Sequence, residues 1–179
     1  MKLISNEYRT ELRNYHKQEE TWGVGPKWNI LRICNFLHEN KIERMFDYGC
    51  GKGWYLPLML PIEISNYDPA VLKWSVEPKA EDYLTCFDVL EHVEPQYLDN
   101  VIEHLISKFN KKALVIISTR KAQETLPSGR NAHLIVKPAE WWIEKLSSQC
   151  PLEKYELTDK SRKGSSHHDD LFVVLSKIS

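Results

Sequence analysis

An α/β doubly wound sheet, mostly parallel, with a C-terminal antiparallel hairpin and helices on both faces, is the fold this sequence predicts. Three observations point to it. Strand-like and helix-like periods alternate after residue 41. The uninterrupted apolar run Leu114-Val115-Ile116-Ile117 has the pattern of a parallel strand buried on both sides. Two strand-like segments, residues 152–157 and 171–175, leave no room for a helix between them and most simply form a hairpin at the end of the sheet. The 179 residues, 42% hydrophobic and 27% charged, suit one folded unit. A chain of this size buries roughly 70% of its unfolded surface, so one core holds it without disulfides or structural metal.

The chain opens with helices. Residues 5–20 are polar, with Tyr8, Leu12 and Tyr15 at helical spacing, and Pro26 is placed to start a second helix carrying Ile30, Ile33, Cys34 and Leu37 on one face. We read residues 1–40 as a helical arm packed on the core and 41–179 as the main domain. Residues 42–47 form a short strand halted by Gly49, Gly51 and Gly53. The following helix is kinked or ended near Pro57 and Pro61. Residues 62–67 make a second strand, stopped by Asp68-Pro69, and residues 83–87 a third. Between Pro95 and Phe109, apolar residues fall at i, i+3, i+4, i+7, i+8 and i+11 from Leu98, which predicts a helix with one buried face. After the buried strand comes a long excursion, residues 119–137. A helix beginning at Pro138 follows, with Trp141, Trp142 and Leu146 packing on the sheet. The polar stretch 160–168 reads as an exposed loop.

Charge and cysteine usage exclude several classes. Lys plus Arg is 24 and Asp plus Glu 25, a net charge of −1, which argues against a protein whose main affinity is for a phosphate backbone. Apolar runs fall far short of the roughly 20 residues of a membrane helix, and the N-terminus turns polar at once, unlike a signal peptide. Cys34, Cys50, Cys86 and Cys150 form no C-x-x-C pair, so reduced thiols and a cytoplasmic location are expected.

In an open α/β sheet, ligands bind beyond the carboxyl ends of the strands where strand order reverses, and that point follows the first strand. The residues there are Asp47-Tyr48-Gly49-Cys50-Gly51-Lys52-Gly53-Trp54. A second acid, Asp68, ends the next strand 21 positions after Asp47 (68 − 47), where a nucleoside ribose would present its hydroxyls. The plainer use of Asp68-Pro69 is to start a turn. A dinucleotide fingerprint beginning at Gly49 fails, because position 54 is Trp. A P-loop fails for want of a Gly-Lys-Ser/Thr ending.

The segment 47–53 resembles motif I of the class I S-adenosylmethionine-dependent methyltransferases, and the resemblance extends through Asp68 to Phe87-Asp88-Val89-Leu90-Glu91-His92-Val93. It covers roughly residues 42–178 in outline and implies a Rossmann-like sheet whose last strand is antiparallel. By that resemblance Asp47, Tyr48, Gly49, Cys50, Gly51 and Gly53 hold the methionine end of S-adenosylmethionine, Asp68 binds its ribose, and Asp88 stands near the methyl group. The chain departs from the family in the short stretch 69–81, where the adenine-contacting strand is cut short or missing, so no adenine ligand is named.

Asp88, Glu91 and His92 fall at i, i+3 and i+4, on one side of a helix start. That Asp-x-x-Glu-His spacing is similar to the ubiquinone-pathway O-methyltransferases, where these positions can meet a divalent metal such as Mg²⁺ or Zn²⁺. Three ligands is a small set for a hard cation, and as ordinary first-turn residues the three need none, so a metal is possible but not expected. The excursion, with Asn131-Ala132-His133-Leu134 ahead of Trp141-Trp142, looks like a segment of short bacterial and phage methyltransferases. By that resemblance His133 lies near the acceptor. The expected catalytic residues are therefore His133, Asp88 and His92. Trp22, Gly23 and Trp28 are candidates to lid the cofactor, and Arg120, Arg130, Arg162 and Lys163 to meet an anionic group on the acceptor. The expected activity is methyl transfer to an oxygen or nitrogen of a small molecule. Nucleic-acid methylation and a binding module without transfer activity are the alternatives; no membrane partner is expected and the oligomeric state is open.

Overall fold

The computed structural model describes residues 1–19, 30–158 and 170–177. Helices α1 (Asn6–Gln18) and α2 (Ile30–Asn40) precede β1 (Arg44–Tyr48), the short α3 (Tyr55–Met59), β2 (Glu63–Tyr67), β3 (Glu81–Phe87), α4 (Leu98–Ser107), β4 (Phe109–Ser118), α5 (Ala139–Ser147), β5 (Leu152–Thr158) and β6 (Asp170–Ser176). The six strands lie in the order β2-β1-β3-β4-β6-β5. Strands β1 to β4 pair in parallel, and β6 runs antiparallel between β4 and β5. This is the predicted sheet, terminal hairpin included. The predicted helix start at Pro26 and the tryptophans at 22 and 28 lie outside the described residues, as do Arg162, Lys163 and the loop at 160–168.

Strand alternation divides the core into two layers. Phe46, Leu84, Cys86, Ala113, Val115, Ile117, Val173 and Leu175 face α4 and α5, meeting Val101, Ile102, Leu105, Trp142 and Leu146. The intervening residues Met45, Leu114, Ile116, Phe172 and Val174 face α2 and α3, meeting Ile33, Phe36, Leu37 and Leu56. Helix α1 belongs to neither layer. Its Tyr8 packs with Ile4, Ala70, Leu126 and Ala132, bringing the helix and the excursion together in a third cluster.

Three element boundaries depart from the periodicity. The apolar spacing of α4 continues to Phe109, but the helix ends at Ser107 and Phe109 opens β4. Phe109 is fully buried either way, so its hydrophobicity satisfies both patterns. Strand β4 therefore starts five residues before its apolar run, and β3 begins at Glu81 beside it, with Glu81 opposite Phe109. Helix α3 lasts five residues with Pro57 inside, consistent with the missing N–H and ring bulk of proline. Between β2 and β3 only a 3-10 turn, Leu72–Trp74, forms, which leaves β2 at the sheet edge.

Burial sets the expected response to truncation. Leu114→Ala, at a fully buried position of β4, lowers unfolding free energy by about 2–5 kcal/mol in urea titration. Leu31→Ala, at a position 77% exposed, changes it by less than about 0.5 kcal/mol.

Candidate active site

The glycine turn is tied to the end of β2 before any ligand is considered. Gly49 N–H and Cys50 N–H both donate to Tyr67 O, at 2.7 and 3.0 Å. Gly51 N–H donates to Asp68 Oδ2 at 3.0 Å, and Ala70 N–H to Asp68 Oδ1 at 2.8 Å. Asp68 thus does what a turn-starting aspartate does and also lines the cavity above the turn. Gly49 has φ +77°, and a Cβ there would stand 2.4 Å from Val89 Cγ2. At Gly53, φ +66°, a Cβ would strike the Trp74 indole. Trp74 Nε1–H donates to Lys52 O at 3.3 Å, so the short β2–β3 connection backs the glycine turn.

The cavity, about 450 Å³, opens at the carboxyl ends of β1 to β4 under α1. Asp47, Gly49, Cys50, Gly51, Gly53, Asp68, Asp88, His92 and His133 line it. Tyr48 reaches it too, but its hydroxyl turns into the core and lies 2.7 Å from His104 Nδ1. Burial pushes Asp47 up to about 7, opposed by the Thr85 hydroxyl at 3.4 Å and helped by the charge of Asp68. It also pushes Asp68 up to about 6, against the N–H groups it accepts. Glu19, Glu94, Glu124 and Asp170 add carboxylates to the wall, against one arginine, Arg120, among the described residues.

Asp88, Glu91 and His92 do not share one side of a helix start. Asp88 has φ +52° and precedes a 3-10 turn, Leu90–His92. Glu91, expected at a helix start, is fully buried. Its Oε1 accepts Ser118 N–H at 2.7 Å and its backbone carbonyl accepts Ile135 N–H at 2.9 Å, while its Oε2 has no partner. Burial, then the charge of Asp88, raises its pKa well above the ordinary carboxylate range.

His92 and His133 meet edge to face, with ring centroids 4.7 Å apart. His92 Nδ1 lies 2.7 Å from Ala132 O, and His133 Nδ1 2.5 Å from Arg120 O. A carbonyl only accepts, so Nδ1 carries the proton in each ring. Burial lowers His92 to about 3 and also lowers His133. Both rings are neutral at pH 7, each directing its Nδ1–H to a backbone carbonyl. The metal candidates named from spacing, Asp88, Glu91 and His92, are regrouped accordingly. It is Glu91, His92 and His133 whose possible ligand atoms lie within 4.8 Å of one another. One carboxylate with an unpartnered oxygen and two imidazoles whose Nδ1–H groups are anchored on carbonyls suit a borderline divalent cation such as zinc.

Two cavity features escaped the sequence. Tyr8, Leu12, Tyr15 and His16 of α1 form a wall, yet helical spacing does not say what a helix covers. Asp170 is 1% exposed and pairs with Ser118. Because β6 is antiparallel, its first residue lies at the carboxyl ends of the parallel strands. An acid at the lip of the apolar run 171–175 was the available signal. Arg130, a candidate for an acceptor anion, instead pairs with Glu11 at 2.7 Å.

A sheet of this order with a glycine turn after β1 is Rossmann-like, a fold that offers ligands a crevice beyond the carboxyl ends of its strands. A family model described as a methyltransferase domain matches residues 26–155, and the chain belongs to that methyltransferase-domain family. A search of curated protein sequences returns no match. Among solved structures, it is similar to the small RNA methyltransferase HEN1 at a TM-score of 0.62 and 16% identity, over 86% of this chain and 25% of that one. This chain thus spans a quarter of that protein's length. It is also similar to the Burkholderia thailandensis 1,6-didemethyltoxoflavin-N1-methyltransferase at 0.61 and 14%, over 100% and 93%. The magnesium protoporphyrin IX methyltransferase of Synechocystis PCC 6803 aligns at 0.58 and 13%, over 99% and 90%. No described helix is long and apolar enough to cross a membrane, and all four cysteines are free.

Two outcomes follow from this geometry. Gly49→Ala destabilises the chain by about 2–4 kcal/mol through left-handed strain and the Val89 clash; adding Val89→Ala recovers the packing part in a urea double-mutant cycle. Asp47 and Asp68 bind protons more tightly folded than unfolded, where the ordinary value is 3.8. Their contribution to stability is therefore complete below pH 4 and lost as pH rises through about 6 and about 7. Asp47→Asn should gain on the order of a few kcal/mol over the parent at pH 8, a difference that fades toward pH 4.

Proposed function

We propose that this chain is an S-adenosylmethionine-dependent methyltransferase acting on an oxygen or nitrogen of a small-molecule acceptor. The observation that carries the reading is the pair of buried carboxylates, Asp47 and Asp68, ending adjacent strands around a turn with glycines at φ +77°, +53° and +66°. In this reading Asp68, with lone pairs left after its two backbone bonds, accepts from the ribose hydroxyls. Asp47 and the segment 48–53 hold the amino-acid end, with Tyr48 acting through its backbone. Asp88 faces the sulfonium. When bound, the cofactor supplies an electrophilic methyl group on a positively charged sulfur. The carboxylate-rich wall favours that positive charge and disfavours a polyanionic acceptor.

The protein's own part is alignment and proton removal. His133 Nε2, neutral and facing the cavity, takes the acceptor's proton while Nδ1–H on Arg120 O fixes the ring. His92, held in the same tautomer, positions His133 edge to face. Glu91, His92 and His133 are also the residues that would hold a divalent cation, whose chemistry there is Lewis-acid polarisation of an acceptor oxygen. The two uses of His133 Nε2 exclude one another, since one lone pair serves both.

The test has two parts. S-adenosylhomocysteine should raise the melting temperature, as a ligand of the native state must. Labelled cofactor incubated with fractionated metabolites and with RNA should mark a small molecule. Labelled RNA would favour the nucleic-acid alternative, and cofactor binding with no labelled product the binding module. His133→Ala should lose about 10²–10⁴-fold in turnover and keep the melting shift. Turnover that survives a chelator supports the base; turnover abolished by chelator and restored by zinc assigns His133 to a metal.

A further inference from the structure

On its other side α1 borders a second cavity, of about 550 Å³, that the methyl-transfer reading does not use. Its charged walls are Lys2, Arg9, Arg13 and Glu77, with Tyr67 and Ser75 between them. Arg9 and Arg13 are one helical turn apart, at i and i+4, so both guanidinium groups leave the same side of α1. Glu77 is already matched: its Oε1 takes His104 Nε2 at 2.9 Å and Lys108 Nζ at 2.5 Å. No described carboxylate pairs with Arg9 or Arg13. Arg13 Nε–H donates to Ala70 O at 3.1 Å. Arg9 Nε is shielded from solvent and has no acceptor.

Three other arginines each have a carboxylate partner, although the Nε of Arg32, like that of Arg9, has no acceptor. Arg32 pairs with Glu156, Arg44 with Glu81 and Arg130 with Glu11. A buried guanidinium donor left unmatched destabilises a fold. It is retained here at the wall of an open cavity, one turn from a second arginine and beside the Tyr67 ring. Burial pushes the Tyr67 phenol up to about 12, so it stays a donor. The Lys2 ammonium is held at the Tyr97 ring, which leaves two guanidinium groups and a hydroxyl as a donor set with acceptor-only chemistry as its complement, and planar guanidinium forks fit tetrahedral oxyanions in particular.

We propose that this second cavity binds an anion of the phosphate class, with Arg9 and Arg13 as its principal ligands. The site adjoins the first cavity through Leu3, Ile4 and Pro69, which line both. Ala70 couples them, its carbonyl accepting from Arg13 and its N–H donating to Asp68. A phosphate there and a ligand on Asp68 therefore bias each other's binding. The anion is either free phosphate or the phosphate ester of a nucleotide.

The experiment is a thermal and calorimetric titration of the full chain with inorganic phosphate at constant ionic strength, repeated with adenosine 5′-monophosphate and with adenosine. Phosphate should stabilise the protein saturably. Arg9→Gln should weaken that binding at least tenfold while leaving the S-adenosylhomocysteine melting shift intact. Arg9 makes no hydrogen bond that this variant would break, so its folding is not at issue; Arg9→Gln with Arg13→Gln should abolish phosphate binding. Monophosphate binding at least tenfold tighter than phosphate and weakened at least tenfold by Arg9→Gln identifies a nucleotide, and equal binding identifies the free ion. Non-saturating stabilisation, or equal phosphate affinity in Arg9→Gln, would overturn the proposal. No phosphate response in the unsubstituted protein, with an intact S-adenosylhomocysteine shift, sinks this site alone and leaves the methyltransferase reading standing.

Discussion

Two carboxyl groups sealed at the ends of β1 and β2 constrain everything built above them. Asp47 is 7% exposed and Asp68 8%, and the enclosure that raises their pKa values works against the folded state as they ionise near neutral pH. Gly51 and Ala70 offset part of that cost for Asp68 by donating backbone N–H groups. These donors exist only because the turn passes directly over the strand end, and that path needs glycine at 49, where Val89 leaves no room for a Cβ. Conformation, packing and electrostatics therefore meet in one short segment.

The parts of the site that were legible in the sequence are those with local causes. Strand period, the glycine cluster and the acid 21 positions downstream all lie in or beside one βαβ unit. The edge position of β2 was also readable, because residues 69–80 are too few for a helix and a further strand. The start of β4 was not, since Phe109 is apolar for a helix face and for a strand alike. Nor was the covering of the site by α1. Its stripe of Tyr8, Leu12 and Tyr15 predicts burial without saying against what.

The reacting side shows the same limit more sharply. Spacing grouped Asp88 with Glu91 and His92 because i, i+3 and i+4 coincide on an α-helix. The left-handed backbone at Asp88 and the 3-10 turn after it break that register. What gathers the groups instead is the excursion, held by Ile135 N–H on Glu91 O, His92 on Ala132 O and His133 on Arg120 O. The His92–Ala132 and Glu91–Ile135 bonds span 40 and 44 residues (132 − 92 and 135 − 91) and leave no periodic trace. Asp170 is a different case, visible in principle once the last strands are known to be antiparallel.

The central claim is that Asp47, the turn 49–53 and Asp68 form a seat for an adenosyl sulfur compound. A crystal structure of the protein with S-adenosylhomocysteine tests it most directly. The account predicts ribose hydroxyls within about 3.2 Å of the Asp68 carboxylate and the amino-acid end against the glycine turn. Density for the ligand elsewhere, or Asp68 making no contact with a ribose that is present, would contradict it.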